Sequence, residues 1–432
     1  MQMDRKSKGI QIKFIFFTIN FCVYLFQSSA TTVIHTTNFN SSTFPVLLQN
    51  NEHNAWSTFQ LLPGGDGYVQ IVHTIPSWSD LATFYSRSFL LNGTQSPSYD
   101  TRVETHAPVY SINAFADGML ASILLDFNNY VVNLGVQIYG FREVVRWYEI
   151  DITLFSTINN TISNIKTNTY NTTSMGLLFN NATDDGVGQH VFFQIFNASA
   201  VTQWISPIMI DEANPYYNYS AVAFSAFGNG SVVIIYESYN TSTPTSKNFI
   251  QALLDSQGNS LINRVQLFNS TTNSIVDVIA VDGVWVASVL VKDSSGTTEE
   301  MRLLVSGGSQ FISVSNSSGF KTVKPMYMTN YFNHSVLLVY RVTFLANSTV
   351  FWKSRIFNTT SGQFLPEVIL VEDGEILGQA VASDGGLYVA IQDTQASEEI
   401  VSLGRVAYVA FAANIIPCLL ITLVMIYSIL LY

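Results

Sequence analysis

The side chains able to do chemistry are thinly spread along this chain. Six histidines, His35, His53, His73, His106, His190 and His334, stand apart without the spacing of metal ligands. No HExxH helix motif and no His/Cys/Asp cluster accompanies them, so a zinc centre and any other cofactor site are unsupported. No D-x-D-x-D-G loop points to calcium. No G-x-S-x-G elbow points to a serine nucleophile. Acids occur side by side at Asp184-Asp185, Asp211-Glu212, Glu299-Glu300 and Glu398-Glu399. Neighbours on a strand face opposite ways, so such pairs do not form an acid/base couple and read as solvated loop charges. The expectation is therefore a non-enzymatic protein. A glycan hydrolase would need acids or arginines converging from distant positions.

Two segments could bind a ligand. FREVVRWYEIDI, Phe141 to Ile152, groups Arg142, Arg146 and Trp147 in an otherwise acidic chain. It reads either as a recognition edge or as an outer strand with alternating faces. IDEANPYYNYS, Ile210 to Ser220, carries Tyr216, Tyr217 and Tyr219. Exposed tyrosines stack on sugars and anchor protein contacts, and the same residues could equally be core of the next strand.

The elements that position these groups begin with the chain ends. Arg5, Lys6, Lys8 and Lys13 precede the apolar run FIFFTINFCVYLF and the small residues Ser28-Ser29-Ala30. This is a secretory signal over residues 1–30, or an uncleaved signal anchor. Val406 to Tyr432 carries no charge and is long enough to cross ~30 Å of hydrocarbon as a helix. It reads as a transmembrane helix kinked at Pro417, or as a GPI signal with Ser397 or Ser402 as attachment sites. The expected location is the plasma membrane or an endomembrane, with the middle of the chain outside or lumenal. With nothing following Tyr432, signalling would need a membrane partner.

Between the ends, the net charge of −11 and the absence of a basic run exclude a nucleic-acid partner. The two cysteines, Cys22 and Cys418, lie in the apolar ends. A secreted domain without disulfides must bury a large core. N-glycosylation sequons stand at Asn40, Asn92, Asn159, Asn171, Asn181, Asn197, Asn218, Asn229, Asn240, Asn269, Asn316, Asn333, Asn347 and Asn358, all between the apolar ends.

Residues 31–400 show strand patterns throughout. VVIIYESY, VWVASVLV, SVLLVYRVTF and LYVAIQD are apolar runs of the kind buried on both faces. Tight-turn dipeptides precede most strands, at Asp66-Gly67, Asp117-Gly118, Asp185-Gly186, Asn229-Gly230, Asp282-Gly283, Asn333-His334 and Asp384-Gly385. They recur about every fifty residues, with the third unit irregular, which is the period of a β-propeller blade. His334 replaces the glycine, so that turn is of another type.

The outer halves repeat too. Leu254-Asp255-Ser256-Gln257-Gly258-Asn259 is a strand–turn–strand sentence, and Phe357-Asn358-Thr359-Thr360-Ser361-Gly362 is a looser copy. On these hairpins residues 31–393 resemble secreted β-propellers whose blades end in an Asp-Ser-x-Gly-Asn turn. The kelch and WD40 signatures are absent, and Asp293-Ser294-Ser295-Gly296-Thr297 is only a fragment of a sialidase Asp box. Six units follow Trp56. A partial seventh, Leu377 to Asp393, would be completed by the outer pair at Thr31 to Asn50, closing an all-β ring. Tandem β-sandwiches are the alternative, against which no Pro-rich linker appears. The combined expectation is a membrane-anchored, glycosylated surface protein whose propeller, residues 31–400, binds an extracellular protein or glycan. A secretory glycan hydrolase or a structural coat protein is the alternative.

Overall fold

The computed structural model describes residues 32–37 and, apart from short intervening stretches, 58–392 and 401–410. Two compact units divide the chain, Met1–Thr37 with Val406–Tyr432, and Asn38–Arg405. In the first, the described residues are the strand Thr32–Thr37 and the second half of the strand Val401–Ala410. Val406–Ala410 is thus strand where a helix was expected, and residues 411–432 lie outside the described residues. Among the described residues no helix is long and apolar enough to cross a membrane.

All regular structure described in the larger unit is strand. It forms successive up-and-down sheets. The first sheet is Thr58–Gly64, Tyr68–Ile75, Thr83–Leu90 and Gln95–Glu104. The second is Val109–Ala114, Leu120–Asn128, Val131–Tyr139 and Ile152–Ile158. The third is Ile162–Asn171, Ser174–Ala182, Gln189–Asn197 and the two-residue Ile208–Met209. The fourth is Tyr217–Ala226, Val232–Asn240, Thr243–Leu254 and Ser260–Ser270. The fifth is Ser274–Val281, Val284–Lys292, Glu299–Val305 and Ile312–Ser313. In the sixth, Phe320–Tyr331, Ser335–Phe344 and Val350–Asn358 are followed by an outer strand broken into Gln363–Phe364 and Val368–Glu372. One parallel pair, Glu299 and Thr322, bridges the fifth and sixth sheets. A further hairpin is Glu375–Val381 with Gly386–Gln392.

The first strand of each sheet from the second to the fifth lies beside the first strand of the next, and the first sheet's lies beside the second's. This sheet order is that of a β-propeller. The core is correspondingly sliced between sheets. Val232, Ile234 and Tyr236 pack into the layer shared with the third sheet. Their neighbours Val233 and Ile235 pack into the layer shared with the fifth. Side chains alternate across a strand, so a strand with both faces covered must be apolar at every position. That is why VVIIY is continuous. Each such side chain contributes about 1.5–3 kcal/mol on burial.

Hydrogen bonds between sheets recur one repeat apart. Asn113 Nδ2 donates to Thr167 Oγ1 at 2.6 Å, Asn168 Nδ2 to the Phe224 carbonyl at 3.3 Å, and the Ala280 N–H to Ser225 Oγ at 3.0 Å. Asn180 does most at the junction of the third and fourth sheets. Its Nδ2 donates to the carbonyls of Tyr219 (2.8 Å) and His190 (3.2 Å), and its Oδ1 accepts from the Ala221 N–H at 2.8 Å.

The outer hairpin of the fourth sheet explains its own motif. Asp255 Oδ1 accepts from the N–H groups of Gln257 and Asn259, both at 2.8 Å, and Oδ2 from Asn259 Nδ2 at 3.0 Å. These bonds hold the exposed carboxyl below its usual range, the Asn259 side chain first among them. Gly258 takes φ +85°. A Cβ there would lie 2.2 Å from Ile208 Cδ1, so the hairpin can press on the third sheet only with glycine. The Asp293 loop makes a related turn, Asp293 Oδ1 accepting from Thr297 N–H at 2.8 Å.

Candidate functional site

Six first strands share an irregularity. Their pairing with the second strand slips between Val109 and Ser111, Ser163 and Lys166, Ala221 and Ala223, Ile275 and Asp277, Pro325 and Tyr327, and Ile376 and Gly378. A bulge leaves a residue unpaired and re-aims the side chain that follows. In the third sheet Asn164 absorbs the distortion at φ +51°, a conformation Asn tolerates better than most residues. The first residues past the slips, one per repeat, are Ser111, Lys166, Ala223, Asp277, Tyr327 and Gly378.

Three of these interact. Lys166 belongs to the third sheet, Asp277 to the fifth and Tyr327 to the sixth, yet the Lys166 charge acts on Asp277 and Asp277 acts on Tyr327. The third and fifth sheets are not neighbours, so their side chains can interact this way only where the first strands gather. Asp277 is half-buried, and desolvation is the largest influence on its acidity. Burial pushes it up to about 7, opposed by the Val278 N–H donating at 2.8 Å and by Lys166. Burial also raises the Tyr327 phenol, and the Asp277 charge adds to the shift. A carboxyl still protonated near neutral pH is a proton donor, and an ammonium and a phenol nearby can hold oxygen-rich groups against it.

The sequence-predicted binding residues lie elsewhere. Arg142, Arg146 and Trp147 lie outside the described residues. Tyr216 is 70% exposed, Tyr217 is half-buried, and Tyr219 is core at 7% exposure. Tyr217 and Tyr219 both line a cleft of about 780 Å³ against the third sheet. The reading of Asp211 as a solvated loop charge is corrected. It is 2% exposed, with Oδ1 at 2.6 Å from His190 Nδ1 and Oδ2 accepting the Val191 N–H at 2.5 Å. Burial still pushes its carboxyl above the usual range. Glu299 and Glu300 are ion-paired, with Lys292 at 3.1 Å and Arg302 at 2.7 Å. Asp184, Asp185, Glu398 and Glu399 lie outside the described residues. Among the described residues no group of three or more His, Cys, Asp or Glu could hold a metal ion.

The sequons have a structural use. At Asn171, Asn197, Asn229, Asn240, Asn347 and Asn358, Oδ1 accepts the N–H of the Ser or Thr two residues on, at 2.8–3.1 Å. These are Asx turns, which favour the same Asn-x-Ser/Thr spelling. They leave Nδ2, where a glycan would attach, outside the turn bond. Asn269 is exposed and Asn218 half-buried. Asn181 is buried at 7% exposure, which leaves no room for a glycan in the folded sheet. Asn40, Asn92, Asn159, Asn316 and Asn333 lie outside the described residues.

No protein-family model matches this chain, and no curated protein does. Solved structures similar to it include the β-propeller domain of the Trilobed protease from Pyrococcus furiosus, at 12% identity over 81% of this chain and 95% of that one, TM-score 0.48. A polysaccharide lyase, an ulvan lyase, shares 8% identity over 82% and 95%, TM-score 0.49. The alpha-L-arabinanase of Penicillium chrysogenum shares 12% over 81% and 92%, TM-score 0.43. The likeness concerns the fold. Against the expectation of a non-enzymatic binding and adhesion protein, the similar structures include enzymes. The convergence of Lys166, Asp277 and Tyr327 supplies the titratable groups whose absence had motivated that expectation.

Proposed function

We propose that this chain is a glycan-cleaving enzyme of the secretory route, with its centre where the first strands meet. The carrying observation is that Lys166, Asp277 and Tyr327, from three sheets, each stand just past a register slip of a first strand, with the Lys166 charge acting on Asp277 and the Asp277 charge on Tyr327. Asp277 donates a proton to the leaving glycosidic oxygen, the step that asks for a carboxyl kept protonated near neutral pH. Lys166 and Tyr327 hold the sugar's oxygens against it. The second carboxylate of the two-carboxylate scheme is not among these three, so the assignment covers the proton-donating half.

In this reading the propeller has seven blades. Glu375–Val381 supplies the first strand of the seventh, supported by its lying against Thr58–Gly64 of the first sheet. Residues 1–30 direct secretion, 31–400 form the lumenal or extracellular enzyme carrying glycans at exposed sequons such as Asn171, Asn229 and Asn347, and the apolar tail anchors it.

The test is cleavage of a panel of neutral and acidic polysaccharides, read both by reducing ends and by the ultraviolet absorbance of unsaturated products. Cleavage that Asp277→Asn slows by about 10²–10⁴-fold is expected. No cleavage, or an unchanged rate in Asp277→Asn, would remove the assignment.

A further inference from the structure

We propose that the cleft between the third and fourth sheets is a separate binding site for a neutral oligosaccharide. It rests on the proposed function only for the class of ligand, and not on the chemistry at Asp277. The cleft measures about 780 Å³, within the ~300–1,000 Å³ typical of ligand clefts.

Its shape follows from strand register. Tyr217 and Tyr219 are two apart on the first strand of the fourth sheet and so share a face. Tyr219 pairs with Ser238, and Ala221 with Tyr236, which brings Ser238 and Tyr236 to the same wall. Asn248 and Gln266 extend that wall on the third and fourth strands. Tyr217 is the accessible ring, while Tyr219 and Tyr236 are buried at 7% and 1% exposure and form the floor. Their rings meet edge-on with centroids 6.1 Å apart. Tyr219 in turn stacks on His190 at 6.0 Å, and His190 is fixed by Asp211. The floor is therefore held from behind by a buried polar pair that is itself satisfied.

The lining suits sugars. An accessible ring receives the C–H face of a pyranose, and amides and a hydroxyl match a row of sugar hydroxyls. The charge argues for a neutral chain. Arg264 is the one charged residue in the lining. Its Nε–H already donates to the Ile210 carbonyl at 2.8 Å, and its charge acts on Asp211. The protein as a whole carries −11, a field that opposes approach of a polyanion.

The experiment uses the full chain carrying Asp277→Asn, so that a bound probe is not consumed. Cellohexaose, xylohexaose, mannohexaose and arabinohexaose are titrated calorimetrically, with polygalacturonate as the acidic arm. Saturable binding of at least one neutral hexasaccharide is expected. Tyr217→Ala should weaken it about tenfold or more, equivalent to ~1.4 kcal/mol. Gln266→Ala, at an exposed position that folding tolerates, should weaken it as well. Binding of polygalacturonate alone, no binding of any probe, or binding undiminished in Tyr217→Ala would each overturn the cleft site. Binding that behaves as expected in a protein whose native form cleaves nothing would uphold the cleft and remove the Asp277 assignment. Cleavage that survives without cleft binding would do the reverse.

Discussion

The first strands of the sheets and the fourth strands live under different constraints. First strands run from six to twelve residues, and six of them carry a bulge at the corresponding place. Fourth strands range from two residues, at Ile208–Met209 and Ile312–Ser313, to eleven at Ser260–Ser270. A first strand has a neighbouring sheet on either side and must meet its counterparts, so its geometry repeats. A fourth strand ends at solvent and can shorten or break without cost to its neighbours. Lys166, Asp277 and Tyr327 lie at the constrained end. The tyrosine cleft opens at the free end, where the short Ile208–Met209 strand leaves the third sheet's edge low beside the long fourth sheet.

Three substitutions would sharpen this contrast, in decreasing order. Asn180→Ala removes four hydrogen bonds, with Tyr219, His190, Ala221 and Asn164, and strands the Tyr219 carbonyl and Ala221 N–H in the core. It should cost roughly 2–4 kcal/mol in urea unfolding. A loss no larger than that of a surface change would mean that inner strands are not held by these amides. Gly258→Ala, at the outer hairpin, forces a methyl against Ile208 and strains a positive φ. About 1–3 kcal/mol is expected, with the cleft wall displaced. Wild-type stability in that variant would show that the outer hairpin is free to move away. Lys247→Ala breaks the partly exposed pair with Glu237, whose two oxygens each lie 2.9 Å from Nζ. It should cost less than about 1 kcal/mol, and the difference should shrink in high salt. A larger loss would place real structural weight on the outer half.

Much of the fold was legible because turn and strand chemistry is local. SVLLVYRVTF is a strand over its whole length, Ser335–Phe344. Asp282-Gly283 takes positive φ at both residues, and His334, without a glycine, still takes φ +57°. The site was not legible, because Lys166 lies 111 residues before Asp277 and Tyr327 lies 50 after it, each in a different sheet. Asp277 sits in SIVDVIAV as a lone acid in an apolar strand, which was the available signal. Periodicity alone assigns it to one face of a strand. The register slip before it is a property of the pairing rather than of the residues, and the charges that couple it to Lys166 and Tyr327 come from other sheets. Asp211 was misread for a related reason. Its partner His190 comes from the preceding strand pair, and adjacency to Glu212 suggested solvent.

The charge on Asp277 also has a sign that can be checked. Its folded value lies above its unfolded one, so between about pH 4 and 7 the unfolded chain has lost a proton that the native chain keeps. Stability therefore falls over that window through this group, and Asp277→Asn should gain on the wild type as pH rises through it.

The most direct measurement is an NMR titration of the Asp277 carboxyl carbon, assigned by its loss in Asp277→Asn. A midpoint at about 7 is the result expected if the bulged first strands enclose it as a proton donor. A midpoint near the ordinary aspartate value of ~3.9 would contradict the account. It would place Asp277 in open solvent and leave the gathered first strands with no acid to offer.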